Sequence, residues 1–220
     1  MARFARLVIP NYPHHITQRG VRSMDIFSDS QDRETYLSFL EEESARSGVS
    51  ILAWCLMTNH VHLIAVPLKE DSLARSVGEA HRRYTRYKNF QQNVRGYLFQ
   101  GRFGSCVLDE THLLFAGRYV ERNPVAAGMV KNATDYRWSS ARYNCGVVEH
   151  DPLLRERSLP KILDDWSTFL ETTDEEQDRM MQKRTKSGRP LGGEQFIADL
   201  ETITGRDLML KPAGRPRNEN

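Results

Sequence analysis

Val49-Ser50-Ile51-Leu52-Ala53-Trp54-Cys55-Leu56, followed across Met57-Thr58-Asn59 by His60-Val61-His62-Leu63-Ile64-Ala65-Val66-Pro67, is the stretch from which the fold is read. Both halves are rich in β-branched, aliphatic and aromatic residues, and the three residues between them suit a turn, so the pattern predicts an antiparallel hairpin. Side chains alternate between the faces of a strand, which puts His60 and His62 on one face and Val61 and Leu63 on the other. Two neutral imidazoles side by side are half of a divalent-metal site. Alone, the pair equally fits two polar positions on a solvent-facing strand, and the remaining ligands must come from elsewhere.

Outward from the hairpin, His14 to Gly20 reads as a first strand ending at a glycine turn. Asp29 or Ser30 caps a helix expected over residues 31–47, with Tyr36, Leu37, Phe39 and Leu40 clustered on one side and Gly48 ending it. After the hairpin, Asp71-Ser72 opens a second helix to about Asn89, dense in Arg82, Arg83, Tyr84, Arg86, Tyr87 and Lys88. Gly104 to Leu108 is a fourth strand, and Asp109 or Thr111 caps a third helix ending near Pro124. The order strand, helix, strand, strand, helix, strand, helix is that of an α+β protein with a ferredoxin-like antiparallel sheet and helices on one face.

A domain over residues 1–150 is therefore expected, followed by a C-terminal extension over 151–220. In the extension, an acidic helical segment from about Trp166 to Gln182 gives way to a basic tail with Gly188-Arg189-Pro190, a short helix near 194–203, and Gly214-Arg215-Pro216. Asp135 to Tyr143 reads as an aromatic strap packed on the body. Gly214-Arg215-Pro216-Arg217 resembles the core of a minor-groove AT-hook, but a disordered basic terminus accounts for it as well.

Composition narrows the functional classes. At 39% hydrophobic and 27% charged residues the chain is globular. Its net charge of +2 combines a basic body, an acidic stretch and a basic tail, compatible with a polyanionic partner. Cys55, Cys106 and Cys145 are odd in number and lack C-x-x-C spacing, which argues against a disulfide framework or zinc knuckle and for a reducing compartment. No segment approaches the roughly 18 apolar residues of a membrane span, and the first ten residues lack a signal-peptide core. A soluble cytoplasmic protein is expected.

Arg118-Tyr119-Val120-Glu121-Arg122-Asn123-Pro124 supplies what the histidines lack. Helical positions i and i+4 share a face, so Tyr119 and Asn123 project together. The asparagine carbonyl is a hard ligand suited to Mg²⁺ or Mn²⁺, and with His60 and His62 it makes a three-point site with open positions for phosphate oxygens. A metal there acts as a Lewis acid while the Tyr119 hydroxyl attacks phosphorus. His112, two turns earlier on the third helix, is a candidate neighbour for the tyrosine proton. Taken singly, Tyr119 also fits a core tyrosine and Asn123 a helix end; their joint occurrence with the histidines is what points to a site. The arginines and tyrosines of the second helix fit a solvated face, or contacts to a nucleic-acid backbone and bases.

His15-Ile16-Thr17-Gln18-Arg19-Gly20, the span Leu56 to Ile64, Gln100-Gly101-Arg102-Phe103, Tyr119 to Val125 and Trp138-Ser139-Ser140 resemble, in the same order, the Y1 single-tyrosine HUH transposases of the IS200/IS605 type, specifically the REP-associated tyrosine transposases. The resemblance covers about residues 13–143. It implies a DNA strand transferase acting on single-stranded hairpin DNA of the REP-palindrome kind, as a monomer or homodimer associated with the nucleoid. It implies His60, His62 and Asn123 as ligands of Mg²⁺ or Mn²⁺ and Tyr119 as the nucleophile joined to a 5′ phosphate. It also implies hairpin contacts from the basic second helix and the first-strand region, for which Gln18, Arg19, Arg82, Arg83 and Arg102 are the candidates. A non-catalytic hairpin-binding relative, acting in regulation or repeat maintenance, is the alternative. A His-x-His hydrolase of small molecules fits poorly, because such sites need a larger barrel and further downstream ligands.

Overall fold

In the computed structural model, which describes residues 6–163 and 165–209, the hairpin forms the adjacent strands of a four-stranded sheet. In chain order the elements are β1 (His14–Arg19), α1 (Ser30–Ser47), β2 (Val49–Leu56), β3 (His60–Pro67), α2 (Glu79–Gln92), β4 (Gly104–Val107) and α3 (Glu110–Ala126). Then come five further helices: α4 (Ala141–Asn144), α5 (Ser158–Ile162), α6 (Trp166–Glu171), α7 (Glu175–Ser187) and α8 (Glu194–Thr204). The sheet order is β2-β3-β1-β4 with every neighbouring pair antiparallel, the ferredoxin-like arrangement.

Local signals set the helix boundaries. The Asp29 carboxylate accepts the Asp32 N–H at the start of α1, and Gly48 closes that helix with a left-handed φ of 64° that a side chain would strain. Asp109 likewise accepts the His112 N–H at the start of α3. A π turn, Ala74–Gly78, leads into α2, which continues to Gln92, past the Asn89 expected from sequence, and stops at Asn93 in left-handed conformation. Pro124 lies inside α3, which carries on to Ala126, so Asn123 still stands on helical backbone.

Both faces of the sheet are apolar and both are covered. In β2, the extra residue between Ile51 and Ala53 shifts the alternation: Ile51, Trp54 and Leu56 join Val61 and Leu63 on the face covered by α1 and α2. Ala53 and Cys55 join Ile64 on the face covered by α3 through Leu113, Ala116 and Val120. The two crossover helices thus lie on one face, as the ferredoxin-like reading has it. The expectation that all helices share that face is corrected by α3: it packs on the reverse because strands apolar on both sides leave a second surface to bury.

Chain segments outside the sheet close its edges. Leu56 donates its N–H to Trp138 O at 2.8 Å and Ser140 donates to Trp54 O at 3.0 Å, so the aromatic strap lies along β2. On the other side Leu191 donates to Val107 O at 2.8 Å, covering β4. The segment beyond residue 150 shares the core of the body. Leu159, Trp166, Leu170 and Met181 pack with Ala116 and Val120, while Ile197 and Leu200 pack with Leu7, Ile9 and Val107. Gly214-Arg215-Pro216-Arg217 lies outside the described residues. Among the described residues no helix is long and apolar enough to cross a membrane.

Candidate active site

Antiparallel pairing builds the site. Thr17 lies opposite His62 and Arg19 opposite His60, and directly paired residues share a face, so His15, Thr17 and Arg19 stand on the histidine side of the sheet. α3 crosses that side. The Tyr119 ring meets the His62 imidazole edge-on with centroids 5.5 Å apart, and the His15 imidazole at 5.7 Å. The His60 and His62 rings are 4.9 Å apart and nearly perpendicular. The Asn123 side chain lies close enough to act on both neighbours, favouring the protonated His60 imidazole and the ionised Tyr119 hydroxyl. Two pairs far apart in sequence, His60 with His62 and Tyr119 with Asn123, are thereby brought together.

Each histidine of the pair is held through Nδ1. His60 Nδ1 is 2.6 Å from Asn59 Oδ1 and His62 Nδ1 is 3.0 Å from His15 Nε2. His15 Nδ1 in turn lies 2.7 Å from Thr185 Oγ1 on α7. Burial lowers the pKa of His60 to about 4, helped by the Arg19 charge, lowers His15 to about 3, and holds His62 well below the ordinary range. All three are neutral near pH 7, as metal ligands and their partners must be. The Tyr119 hydroxyl is pushed up by burial, against hydrogen bonds from Asn123 and Gln182 that favour its ionised form.

The donor set could hold a divalent cation. No three His, Cys, Asp or Glu side chains converge as a metal cage among the described residues. Two imidazoles and one amide could instead hold a divalent cation as a partial set with positions open to other oxygens. Arg19, exposed beside His60, adds a positive charge for a phosphate.

The nominated DNA contacts divide between two places. Gln18 points the opposite way from Arg19, is buried, and donates to Gly101 O at 3.1 Å. It lines a groove of about 590 Å³ with His81, Arg82, Arg86, Tyr97 and Arg102. Tyr97 is 91% exposed at this groove, an open ring for stacking. Arg83 is not among the groove residues: it reaches across to Glu42 at 2.8 Å and Glu43 at 2.5 Å, tying α2 to α1. Lys88 is likewise buried, 2.6 Å from Asp32. His112 is held by Asp109 at 2.6 Å at the start of α3, about 10 Å along the axis from Tyr119. The rings against Tyr119 are those of His15 and His62 instead.

Three residues of the site escaped the sequence reading. His15 was visible as a strand position, and only the β1–β3 register shows that it faces His62. Thr185 and Gln182 come from α7, where nothing local in the acidic and basic pattern marks them.

The sequence profile of the family described as "Transposase IS200 like" matches residues 9–123, more than half of the chain and a span that holds all four clustered residues. The chain belongs to the IS200-like transposase family. As an α+β transposase-family protein it is also similar to a solved structure described as a REP-associated tyrosine transposase bound to a REP hairpin. That likeness has a TM-score of 0.58 and 17% identity over 71% of this chain and 92% of that one, and concerns the fold. A transposase candidate from Deinococcus radiodurans R1 matches with a TM-score of 0.39 and 16% identity, over 55% of this chain and 97% of that one. No curated protein matches the chain.

Proposed function

We propose that this transposase-family protein is a divalent-metal-dependent DNA strand transferase that nicks and rejoins single-stranded hairpin DNA through a Tyr119–5′-phosphate intermediate. The observation that carries the reading is the edge-on meeting of the Tyr119 ring with the His62 imidazole, with the His60 ring 4.9 Å from that of His62. His60, His62 and Asn123 would hold Mg²⁺ or Mn²⁺, which when bound supplies Lewis-acid neutralisation of phosphate charge. The Tyr119 oxygen forms its bond to phosphorus as the bond to the 3′ oxygen breaks. Tyr119 gives its proton to solvent, and the departing 3′ oxygen takes one from solvent. The Asn123 and Gln182 side chains and the Arg19 charge favour the ionised form of the hydroxyl against the burial that opposes it. Because the phosphodiester is exchanged for a phosphotyrosine, attack by a 3′ hydroxyl reverses the step and reseals the strand.

Hairpin DNA as the substrate is supported by the solved relative's bound REP hairpin and by the groove. Consecutive β1 residues send Gln18 to the groove and Arg19 to the histidine side, so β1 carries one nominated DNA contact on each face of the sheet, with Arg82, Arg86 and Arg102 available to a phosphate backbone in the groove. The test is to incubate the full-length protein with end-labelled single-stranded hairpins from the DNA flanking its gene, with Mg²⁺ or Mn²⁺, and resolve the products on denaturing gels. A metal-dependent covalent adduct that disappears in Tyr119→Phe and His60→Ala is the expected result. Tight hairpin binding with no adduct, unchanged by Tyr119→Phe, would establish a non-catalytic binding protein in its place.

A further inference from the structure

The metal reading above leaves open what holds His62 in a ligating state. We infer that α7, in the C-terminal segment, sets the ring tautomer of His62 through a Thr185–His15 relay, which makes His15 and Thr185 positioning residues of the catalytic centre.

The direction of the relay follows from its far end. The single hydroxyl proton of Thr185 is donated to the Met181 carbonyl, 2.8 Å away and one turn back on α7. Thr185 Oγ1 therefore accepts at its other contact, and the donor 2.7 Å away is His15 Nδ1. A neutral imidazole has one N–H, so His15 Nε2 presents a lone pair. The atom facing that lone pair, 3.0 Å away, is His62 Nδ1, which must then carry the proton. His62 Nε2 is left bare, in the state a metal ligand requires.

Ring geometry agrees with this assignment. The His15 and His62 planes lie within 6° of each other with centroids 5.2 Å apart. The centroid separation exceeds the 3.0 Å N···N distance by about the width of one ring, so the imidazoles lie end to end in a common plane. That is the geometry of an in-plane N–H···N bond. The relay is also dry and closely seated: His15 is 1% exposed, His62 5% and Thr185 4%. At Gly104 on β4 a Cβ would come within 3.3 Å of the Thr185 carbonyl, so the glycine lets α7 approach the sheet at this point. Inverting the relay, with Thr185 donating to His15, would place the His62 proton on Nε2 and block the ligand.

The test uses full-length protein with ¹⁵N-labelled histidine, free of metal and DNA, read by long-range ¹H–¹⁵N correlation. His62 is expected to show a protonated Nδ1 and an unprotonated Nε2. Thr185→Val, which keeps shape and removes the hydroxyl, is expected to mix the two tautomers, and Thr185→Ser to restore one. In parallel, Mn²⁺ binding followed by electron paramagnetic resonance is expected to weaken by about 10- to 100-fold in His15→Ala. His15→Gln, whose side-chain carbonyl can accept from His62 Nδ1, is expected to recover most of it. A wild-type His62 protonated on Nε2, or Mn²⁺ affinities unchanged in both Thr185→Val and His15→Ala, would overturn the inference. The tautomer measurement stands apart from the function: wild-type protein that binds no Mn²⁺ and forms no adduct refutes the metal-dependent reading, while the metal-free spectrum still decides the relay.

Discussion

Asn123 stands one helical turn after Tyr119, and its side chain acts on both neighbours, favouring the ionised form of the Tyr119 hydroxyl and the protonated form of the His60 imidazole. A single amide thus links the proposed nucleophile to the proposed metal ligands. Asn123→Ala is expected to lower Mn²⁺ affinity by at least about tenfold, the lower end of the effect seen for groups that only support a ligand. Asn123→Asp, a harder oxygen donor with charge, is expected to keep or tighten binding. Equal affinities in the wild type and Asn123→Ala would remove Asn123 from the ligand set.

Lys88 Nζ and Asp32 Oδ2 are 2.6 Å apart, with side chains 3% and 0% exposed. Asp32 Oδ2 also accepts the Ser28 N–H at 2.7 Å. Removing one partner leaves the other charge buried and unmatched, so Lys88→Met is expected to cost about 3–5 kcal/mol in urea unfolding. A loss below about 1 kcal/mol would mean the pair behaves as if solvated.

Buried histidines make the fold acid-sensitive. Burial lowers His14 to about 4 and His81 to about 3, while the unfolded chain takes up these protons below about 6.5. The unfolded state binds more protons in this window, so stability present above pH 6.5 is lost as pH falls toward 4 and 3. Glu121 works in reverse. Burial raises it to about 7, so its contribution is present below about 4.5 and lost as pH rises through 7. Each group shifts stability by about 1.4 kcal/mol per pH unit while it differs between states, so His14 and His81, with His15, His60 and His62 lowered in the same direction, outweigh one carboxyl. The urea midpoint is expected to fall between pH 6.5 and 5, and to fall less in His81→Gln. A flat or rising midpoint would contradict this.

Gly117 lets α3 sit against the C-terminal segment. A Cβ there would lie 2.6 Å from Leu159 Cδ1 and 2.9 Å from the Trp166 ring. Both neighbours are buried, so Gly117→Ala is expected to destabilise by about 1–3 kcal/mol through overpacking. The helix-propensity gain of about 1 kcal/mol for Gly to Ala works against this, and the net sign read by thermal unfolding decides whether the segment beyond residue 150 is rigidly packed. A stabilised Gly117→Ala would mean that α5 and α6 can yield.

Elements whose signals are local were legible in the sequence alone. Alternation gave the hairpin, the caps at Asp29, Gly48 and Asp109 bounded their helices, and i to i+4 spacing placed Asn123 with Tyr119. It also placed His60 and His62 on one face of β3. Tertiary structure decided everything that depends on which surfaces meet. The β2 irregularity at Leu52 and the packing of α3 on the reverse face follow from burying both sides of the sheet. Arg83 and Lys88, basic residues in sequence, were drawn into ion pairs because their helix lies against α1. His15 meets His62 only through strand register, and Thr185 meets His15 only because α7 folds back onto β1 and β4. Long-range partners leave no periodic trace in a single chain, since a side chain's spacing records its own element and not the element it will touch.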